Sequence, residues 1–357
     1  MSNLQRLRHA LQDAGHEAML ITAPASVRWL TGFTGSFGAA LIHRENDCFL
    51  TDSRYTVQAA EQVSELPTRS FRSPQKFEEF LRDTVAEFGL QQLAFDQNQV
   101  TVGTLDKWQM SLGGVEFVPA NDPIEELREI KSADEVERIR TACKLTDEAL
   151  TLLLEQTRPG VKEVELLWTL EDFLRPHGAS LAFDPIIVSG PRTARPHGEP
   201  SQRAIERGDF VTFDIGARLD GYCSDITRTV VVGPASDRQR EVYEHLLKAQ
   251  VACVEAMKPG AKGKAVDSLA RTILDEKDLA QYFGHGLGHG LGALVHDSGR
   301  LSQTVDHDIQ VGQVWTIEPG VYIEGFGGIR IEDDIVITES GNEVLTGFPK
   351  HLIELPC

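Results

Sequence analysis

No two of the five cysteines (Cys48, Cys143, Cys223, Cys253 and Cys357) stand at a spacing that suggests a disulfide pair or a zinc knuckle. That excludes a disulfide-framed scaffold and fits a reducing compartment, so a cytoplasmic location is expected. Basic charge is also scarce. Against 54 Asp and Glu there are only 35 Lys and Arg, a net charge of −19, which excludes a protein that grips nucleic acid by its phosphates. No apolar run approaches the length needed to span a membrane. The stretch 1–15 carries Leu4, Leu7 and Leu11 in helical register but no signal-peptide core. What is left is an ordinary globular chain of 357 residues, long enough for two domains and a large core.

Residues 1–123 alternate helix-like and strand-like patterns. Short buried strands are expected at 18–22, 39–42, 48–51 and 93–95, and helices at 1–15 and 75–88, which makes a smaller α/β domain. Asn121-Asp122-Pro123 is a turn signal and the expected boundary, leaving 124–357 as the second domain. That domain opens on a capping-box signature, Ser132 with Glu135, followed by an apolar stripe through Val136, Ile139, Cys143 and Ala149.

The second domain repeats itself. Residues 208–214 (Gly-Asp-Phe-Val-Thr-Phe-Asp) align without a gap on 312–318 (Gly-Gln-Val-Trp-Thr-Ile-Glu), so Asp214 meets Glu318. Gly216 then meets Gly320 and Gly221 meets Gly325; after a short insertion Asp225 meets Glu332. The Pro-Gly stops at 159–160 and 259–260 recur at nearly the same offset, which carries the repeat back through two helices in each half. Two copies of helix, helix and acidic hairpin predict an α+β domain with an antiparallel sheet and a pseudo-two-fold axis. Strands at 209–217 and 222–232 are expected around a two-residue Asp220-Gly221 turn. That register puts Asp214 opposite Thr227, with Asp225 on the same face.

A lone aspartate in a strand is usually a solvated edge residue. Asp214 and Glu318, however, lie inside apolar runs, where an unpaired acid is costly. Four carboxylates converging on one point in a dry interior need cations to neutralise them. Histidine is the second signal. His285 and His289 lie in a glycine-dense loop (284–292) that can approach a site closely; His296 follows, and His197 precedes the first acidic strand. Four carboxylates and an imidazole suit two borderline-hard divalent ions such as manganese, cobalt, zinc or iron, and suit calcium less well.

At these residues the sequence resembles the pita-bread metallopeptidases: methionine aminopeptidase, aminopeptidase P and prolidase. The stretches that carry the likeness are Phe-Asp-Ile-Gly (213–216), Ser-Asp-Ile-Thr-Arg-Thr (224–229), the 284–292 loop, Thr-Ile-Glu-Pro-Gly-Val-Tyr (316–322) and Gly-Ile-Arg-Ile-Glu-Asp (328–333), with Leu-Arg-Glu-Ile-Lys-Ser (127–132) leading in. The N-terminal domain and the segments 187–190 and 196–198 resemble the Xaa-Pro branch. The resemblance implies a pair of metal ions, manganese first and cobalt or zinc as alternatives. Asp214 would hold one ion, His289 and Glu318 the other, and Asp225 and Glu332 both. It also implies that Glu318 moves the water's proton, that His197 and His296 act in catalysis, and that His285 and Arg330 lie on the substrate side.

Segments 30–38 and 51–55 look more like aminopeptidase P than prolidase, so the expected reaction is removal of a first residue ahead of proline. The alternative is an Xaa-Pro dipeptidase. A homodimer is expected, in which Arg54, with Trp29 and Asp52, serves the substrate, although an Asp52 salt bridge is an equal expectation. A metal-free binding or scaffold protein on the same fold, and a hydrolase of a non-peptide amine, are the readings from other classes. Cys223 should share a face with Asp225; it reads either as an oxidant-sensitive group beside the site or, more simply, as a small buried hydrophobe.

Overall fold

The computed structural model describes residues 2–121 and 123–357. The chain divides into two compact units, Met1–Leu127 and Arg128–Cys357. Of the turn expected at 121–123, Asp122 lies outside the described residues, as does Met1 of the first expected helix; a short helix, Pro123–Glu129, follows directly.

The first unit is built on a six-stranded mixed sheet. Its order is Thr68–Phe71, Cys48–Asp52, Ala39–His43, Ala18–Ile21, Gln92–Asp96, Glu116–Ala120. The central strand explains the layering. All four of its residues are buried, because alternate side chains enter different cores. Met19 and Ile21 join the cluster of Leu4, Leu7, Leu11 and Phe33. Ala18 and Leu20 join that of Leu81, Val85 and Trp108 on the other face. The first helix, Asn3–Asp13, buries its three predicted leucines. Helices Pro24–Thr31, Thr56–Gln62 and Val102–Ser111 were not anticipated, nor were the two outermost strands.

The second unit repeats as its sequence does. Helix Ala133–Gln156 starts at Ser132, whose hydroxyl accepts from Glu135 N–H while the Glu135 carboxylate accepts from Ser132 N–H. Its counterpart, Asp237–Ala256, starts on the same reciprocal box at Ser236 and Gln239. After each comes a left-handed glycine, Gly160 and Gly260 (φ 93° and 81°), and a second helix, Glu163–Leu174 and Gly263–Asp275. Even the isolated bridges repeat, Lys162 with Ala204 and Lys262 with Asp308.

Each half then contributes strands to its own sheet. In the first, Phe210–Ile215 lies between Ile186–Ser189 and Ile226–Val232, antiparallel to both. In the second, Val314–Ile317 lies between Gly288–Gly290 and Asp333–Thr338, again antiparallel. The predicted register holds, with Thr227 opposite Asp214 and a hairpin closing at Asp220 and Gly221, both at positive φ. The two strands are not continuous, however. They break at Gly216 and at Ser224-Asp225, where the backbones approach so closely that a Cβ on residue 216 would sit 2.1 Å from the Ser224 carbonyl oxygen. The break has a consequence for the acids. Asp225 leaves the ladder, and its N–H donates instead to Asp334 Oδ2 at 2.8 Å.

Candidate metal centre

The acids lie at strand ends. Asp214 is next to last in Phe210–Ile215 and Glu318 directly follows Val314–Ile317. Asp225 directly precedes Ile226–Val232 and Glu332 directly precedes Asp333–Thr338. The two halves therefore deliver equivalent carboxylates to one point. Asp225, His289 and Glu332 offer ligand atoms that all lie within 4.8 Å of one another, and all three residues are buried. His289 Nε2 stands 3.7 Å from Asp225 and 3.5 Å from Glu318. Asp214 accepts from Arg330 Nη2, and Arg330 Nε and Glu332 both meet the Thr227 hydroxyl, which donates to Glu332 Oε2 at 2.5 Å.

Electrostatics show what this cluster lacks. Burial, followed by the charge of its neighbour Glu332, pushes the Asp225 carboxyl far above the usual range. Burial and Glu318 do the same to Glu332, and burial raises Glu318 to about 8. His289 is held down to about 3, mainly by burial, so its ring is neutral at physiological pH. Its Nδ1 lies 3.1 Å from the Gly290 carbonyl oxygen. With the proton there, Nε2 presents a lone pair to two carboxylates. A lone pair aimed at anions repels them unless a cation lies between. Asp225 Oδ1 is buried with no hydrogen-bond partner. The two carboxylates and imidazole of Asp225, Glu332 and His289, the orphan oxygen and the raised acids all fit a divalent metal, whose charge would favour the ionised carboxylates.

The substrate-side histidines surround this cluster in different ways. His296 packs edge-on against His289, with ring centres 4.5 Å apart. His285 Nε2 lies 2.9 Å from the Tyr322 hydroxyl, which accepts from Arg330 Nη1 at 2.5 Å. His197 is exposed on the loop after Ser189, close enough for its charge to bear on His285 and His296. Arg54 belongs to the other unit, where its guanidinium is exposed and paired bidentately with Asp52 at 2.7–3.2 Å. Trp29 is buried in that unit's core. Cys223 is fully buried, and burial raises its thiol pKa, so it sits as a small hydrophobe.

One residue escaped the sequence reading. Arg300 pairs directly across from His289 on the neighbouring strand Asp297–Leu301. Its Nη1 is fixed by the carbonyls of Asp297 (2.9 Å) and Gly299 (2.7 Å), and its charge bears on His289, His296 and Glu318. Sequence spacing does not reveal it, because the pairing slips by a bulge between His289 and Gly290.

An antiparallel repeat with helices against it, and a buried divalent-ion site between its halves, defines a pita-bread metallohydrolase. The chain belongs to metallopeptidase family M24, whose profile matches residues 137–339, and residues 3–130 match the creatinase/prolidase N-terminal domain. It is 44% identical over 99% of both chains to an uncharacterised peptidase, YqhT, of Bacillus subtilis. It is 36% identical to a Xaa-Pro dipeptidase of Pyrococcus furiosus, over 98% of this chain and 99% of that one. Among solved structures, a Xaa-Pro dipeptidase from Bacillus anthracis superposes with a TM-score of 0.95 at 41% identity, covering 99% of each chain. An X-Pro aminopeptidase from Thermotoga maritima gives 0.90 at 37% identity, covering 95% of this chain and 97% of that one. Among the described residues no helix is long and apolar enough to cross a membrane.

Proposed function

We propose that the protein is a two-metal Xaa-Pro dipeptidase, which hydrolyses the bond between a first residue and a proline that ends the peptide. The observation that carries this is near full-length likeness to proteins called Xaa-Pro dipeptidase, in a chain that brings Asp225, His289 and Glu332 together as a candidate metal cluster. It displaces the aminopeptidase P reading drawn from segments 30–38 and 51–55. That reading stands second, supported by the likeness to the Thermotoga maritima enzyme.

In this reading Asp214, Asp225, His289, Glu318 and Glu332 would together hold two ions, manganese in preference to cobalt or zinc. Once bound, such ions supply Lewis acidity at the scissile carbonyl and a water acidic enough to ionise near neutral pH. Glu318 takes up the proton of the attacking water. His296, beside His289, donates to the carbonyl oxygen as negative charge develops there. The bond to proline is a tertiary amide with no N–H, so its nitrogen must be protonated to leave. His197 delivers that proton. His285, fixed through Tyr322 to Arg330, lines the proline side, and Arg330 orients Asp214 by donating to its carboxylate. Arg300 receives the free carboxylate of the terminal proline, a group a longer peptide does not present there.

A homodimer in which Arg54 meets substrate rests on the family likeness alone; its pairing with Asp52 competes with that role. Sedimentation gives the oligomeric state directly.

The test compares an Xaa-Pro dipeptide with an Xaa-Pro-Xaa tripeptide. The enzyme is stripped of metal, then supplied with manganese, cobalt or zinc in turn. Dipeptide cleavage restored by metal, with the tripeptide spared, is the expected result. Arg300→Ala should raise the dipeptide KM about tenfold or more, the scale of one lost charge-assisted hydrogen bond. Equal cleavage of the tripeptide would establish the aminopeptidase instead. Protein that purifies without metal and binds none would establish the metal-free scaffold.

A further inference from the structure

Two buried carboxylates outside the metal cluster have no part in the chemistry above. Glu163 opens the helix Glu163–Leu174, and its side chain is fully buried. It accepts five hydrogen bonds. Oε1 takes Ser189 N–H at 2.7 Å and Ser189 Oγ at 2.8 Å. Oε2 takes Ser201 N–H at 3.0 Å, Ser201 Oγ at 2.6 Å and Arg192 Nε at 3.2 Å. Ser189 and Ser201 are the two ends of the loop that carries His197. Within the loop, Arg192 Nη2 reaches the Glu199 carbonyl at 2.6 Å. One carboxylate thus closes the base of the loop.

The second half has its own version, reached by other residues. Asp267, on the helix Gly263–Asp275, is fully buried too. Oδ1 accepts from Leu287 N–H at 3.1 Å, and Oδ2 from Arg271 Nε at 2.8 Å. Arg271 in turn donates to the carbonyls of Phe283 (2.8 Å) and His285 (2.6 Å). The backbone on both sides of His285 is therefore tied to one carboxylate–arginine pair. The two ties converge. Arg330 Nη1 touches the Pro196 carbonyl of the first loop at 3.4 Å, and the Tyr322 hydroxyl that His285 also meets.

We propose that Glu163 and Asp267 are positioning residues, one in each half, that fix the His197 and His285 loops against Arg330. Neither touches the metal donors. Each acts through the loop it ties: a multiply accepting carboxylate holds several backbone groups in one place, and a catalytic group displaced by about an ångström loses much of its rate contribution. The proposal rests on the roles given above to His197 and His285, so it predicts two different kinetic defects. Glu163→Gln turns one acceptor oxygen into a donor facing other donors. It should lower kcat about tenfold or more while KM stays within about twofold, because His197 acts in the chemical step. Asp267→Asn should raise KM by a similar factor, because His285 lines the substrate. Metal content should not change in either.

Double-mutant cycles separate positioning from general damage. Glu163→Gln in a His197→Ala background, and Asp267→Asn in a His285→Ala background, should add little beyond the histidine change. Full additivity would overturn the proposal. Amide hydrogen exchange on the intact protein supplies a readout independent of activity. Glu163→Gln should speed exchange in residues 190–200 selectively, and Asp267→Asn in 283–287; exchange unchanged there, or raised throughout, would equally overturn it. Ser201→Ala removes one of the five donors and serves as the milder variant should Glu163→Gln not fold. It should show the same kcat defect in smaller measure, and wild-type kinetics with wild-type exchange would count against the tie. If the wild-type protein cleaves no Xaa-Pro peptide, the functional reading fails, while the exchange experiment still decides whether the loops are held as described.

Discussion

Glu318 combines two properties that rarely meet in one side chain: it faces Nε2 of His289 at 3.5 Å, and burial raises its carboxyl to about 8. Glu318→Gln keeps the shape and one donor oxygen but removes the basic site. Turnover should fall by about 10²–10⁴, the usual weight of one acid–base group, while metal content by elemental analysis stays largely intact; wild-type kcat would remove Glu318 from the mechanism. A second acid, outside the proposed chemistry, contributes to acid stability. Burial works against ionisation of Glu129, but hydrogen bonds from His307 and Ser298 outweigh it and hold its pKa below the ordinary value. A carboxyl depressed by folding adds stability that is present above its unfolded pKa and is lost as pH falls through the folded one. The stability gap between wild type and Glu129→Gln, from urea unfolding, should therefore be constant above about pH 5 and shrink below about pH 4; a gap that widens on acidification would reverse the sign. At this scale Asp214 and Glu318 stood out because each lies in or beside an apolar run where a free charge is costly, and His285 and His289 because glycines flank them. Arg300 was not, since its meaning comes only from standing across the sheet from His289. Asp267 and Glu163 carry no mark in the sequence that sets them apart from the other acids of the chain.

The elements bear the repeat more plainly than the residues do. Matching glycines adopt matching left-handed turns, Gly208 with Gly312 (φ 88° and 86°) and Gly221 with Gly325 (φ 84° and 77°). An alignment finds such pairs because only glycine enters that region cheaply, so the backbone requirement is written in the sequence. The outermost strands of the first unit left no such mark: Thr68–Phe71 has no fully buried residue and Glu116–Ala120 only one, which erases the apolar alternation. The short strand Gly288–Gly290 shows what glycine density is for. A Cβ on residue 288 would lie 2.0 Å from the Thr316 carbonyl oxygen, and one on residue 290 would lie 1.9 Å from that of Ser298. Backbone on both sides cannot yield like a flexible side chain, so the strands must part, and His289 is carried between them. Gly290→Ala should destabilise the fold by about 1–3 kcal/mol and weaken metal binding disproportionately. Thermal melts beside metal titration check both, and a variant with unaltered metal affinity would show that His289 does not depend on this packing.

Across the whole molecule, the fold class and the metal chemistry could be read from sequence, while the choice between dipeptide and longer substrates could not. The reason is physical. In the proposed reading both reactions use the same donors and the same carbonyl chemistry, and they differ only in what meets the far end of the peptide, the role proposed for Arg300. The donor set also ties stability to metal supply. Asp225, Glu318 and Glu332 are crowded, desolvated acids whose ionised forms repel one another, so the folded chain without metal carries a cost that bound cations remove. Ions that bind the folded state alone stabilise it by mass action, about 2.7 kcal/mol at a hundred times the dissociation constant. For a protein of this size that is a rise in melting temperature of roughly 3–4 °C, reversed by chelation. Asp225→Asn should move the melt in the opposite sense to metal: the apo variant, relieved of one repelling carboxylate, melts no lower than apo wild type, yet manganese no longer raises it. Were manganese to stabilise that variant as strongly as wild type, Asp225 would not be a ligand, and the proposed dipeptidase mechanism would lose one of its metal donors.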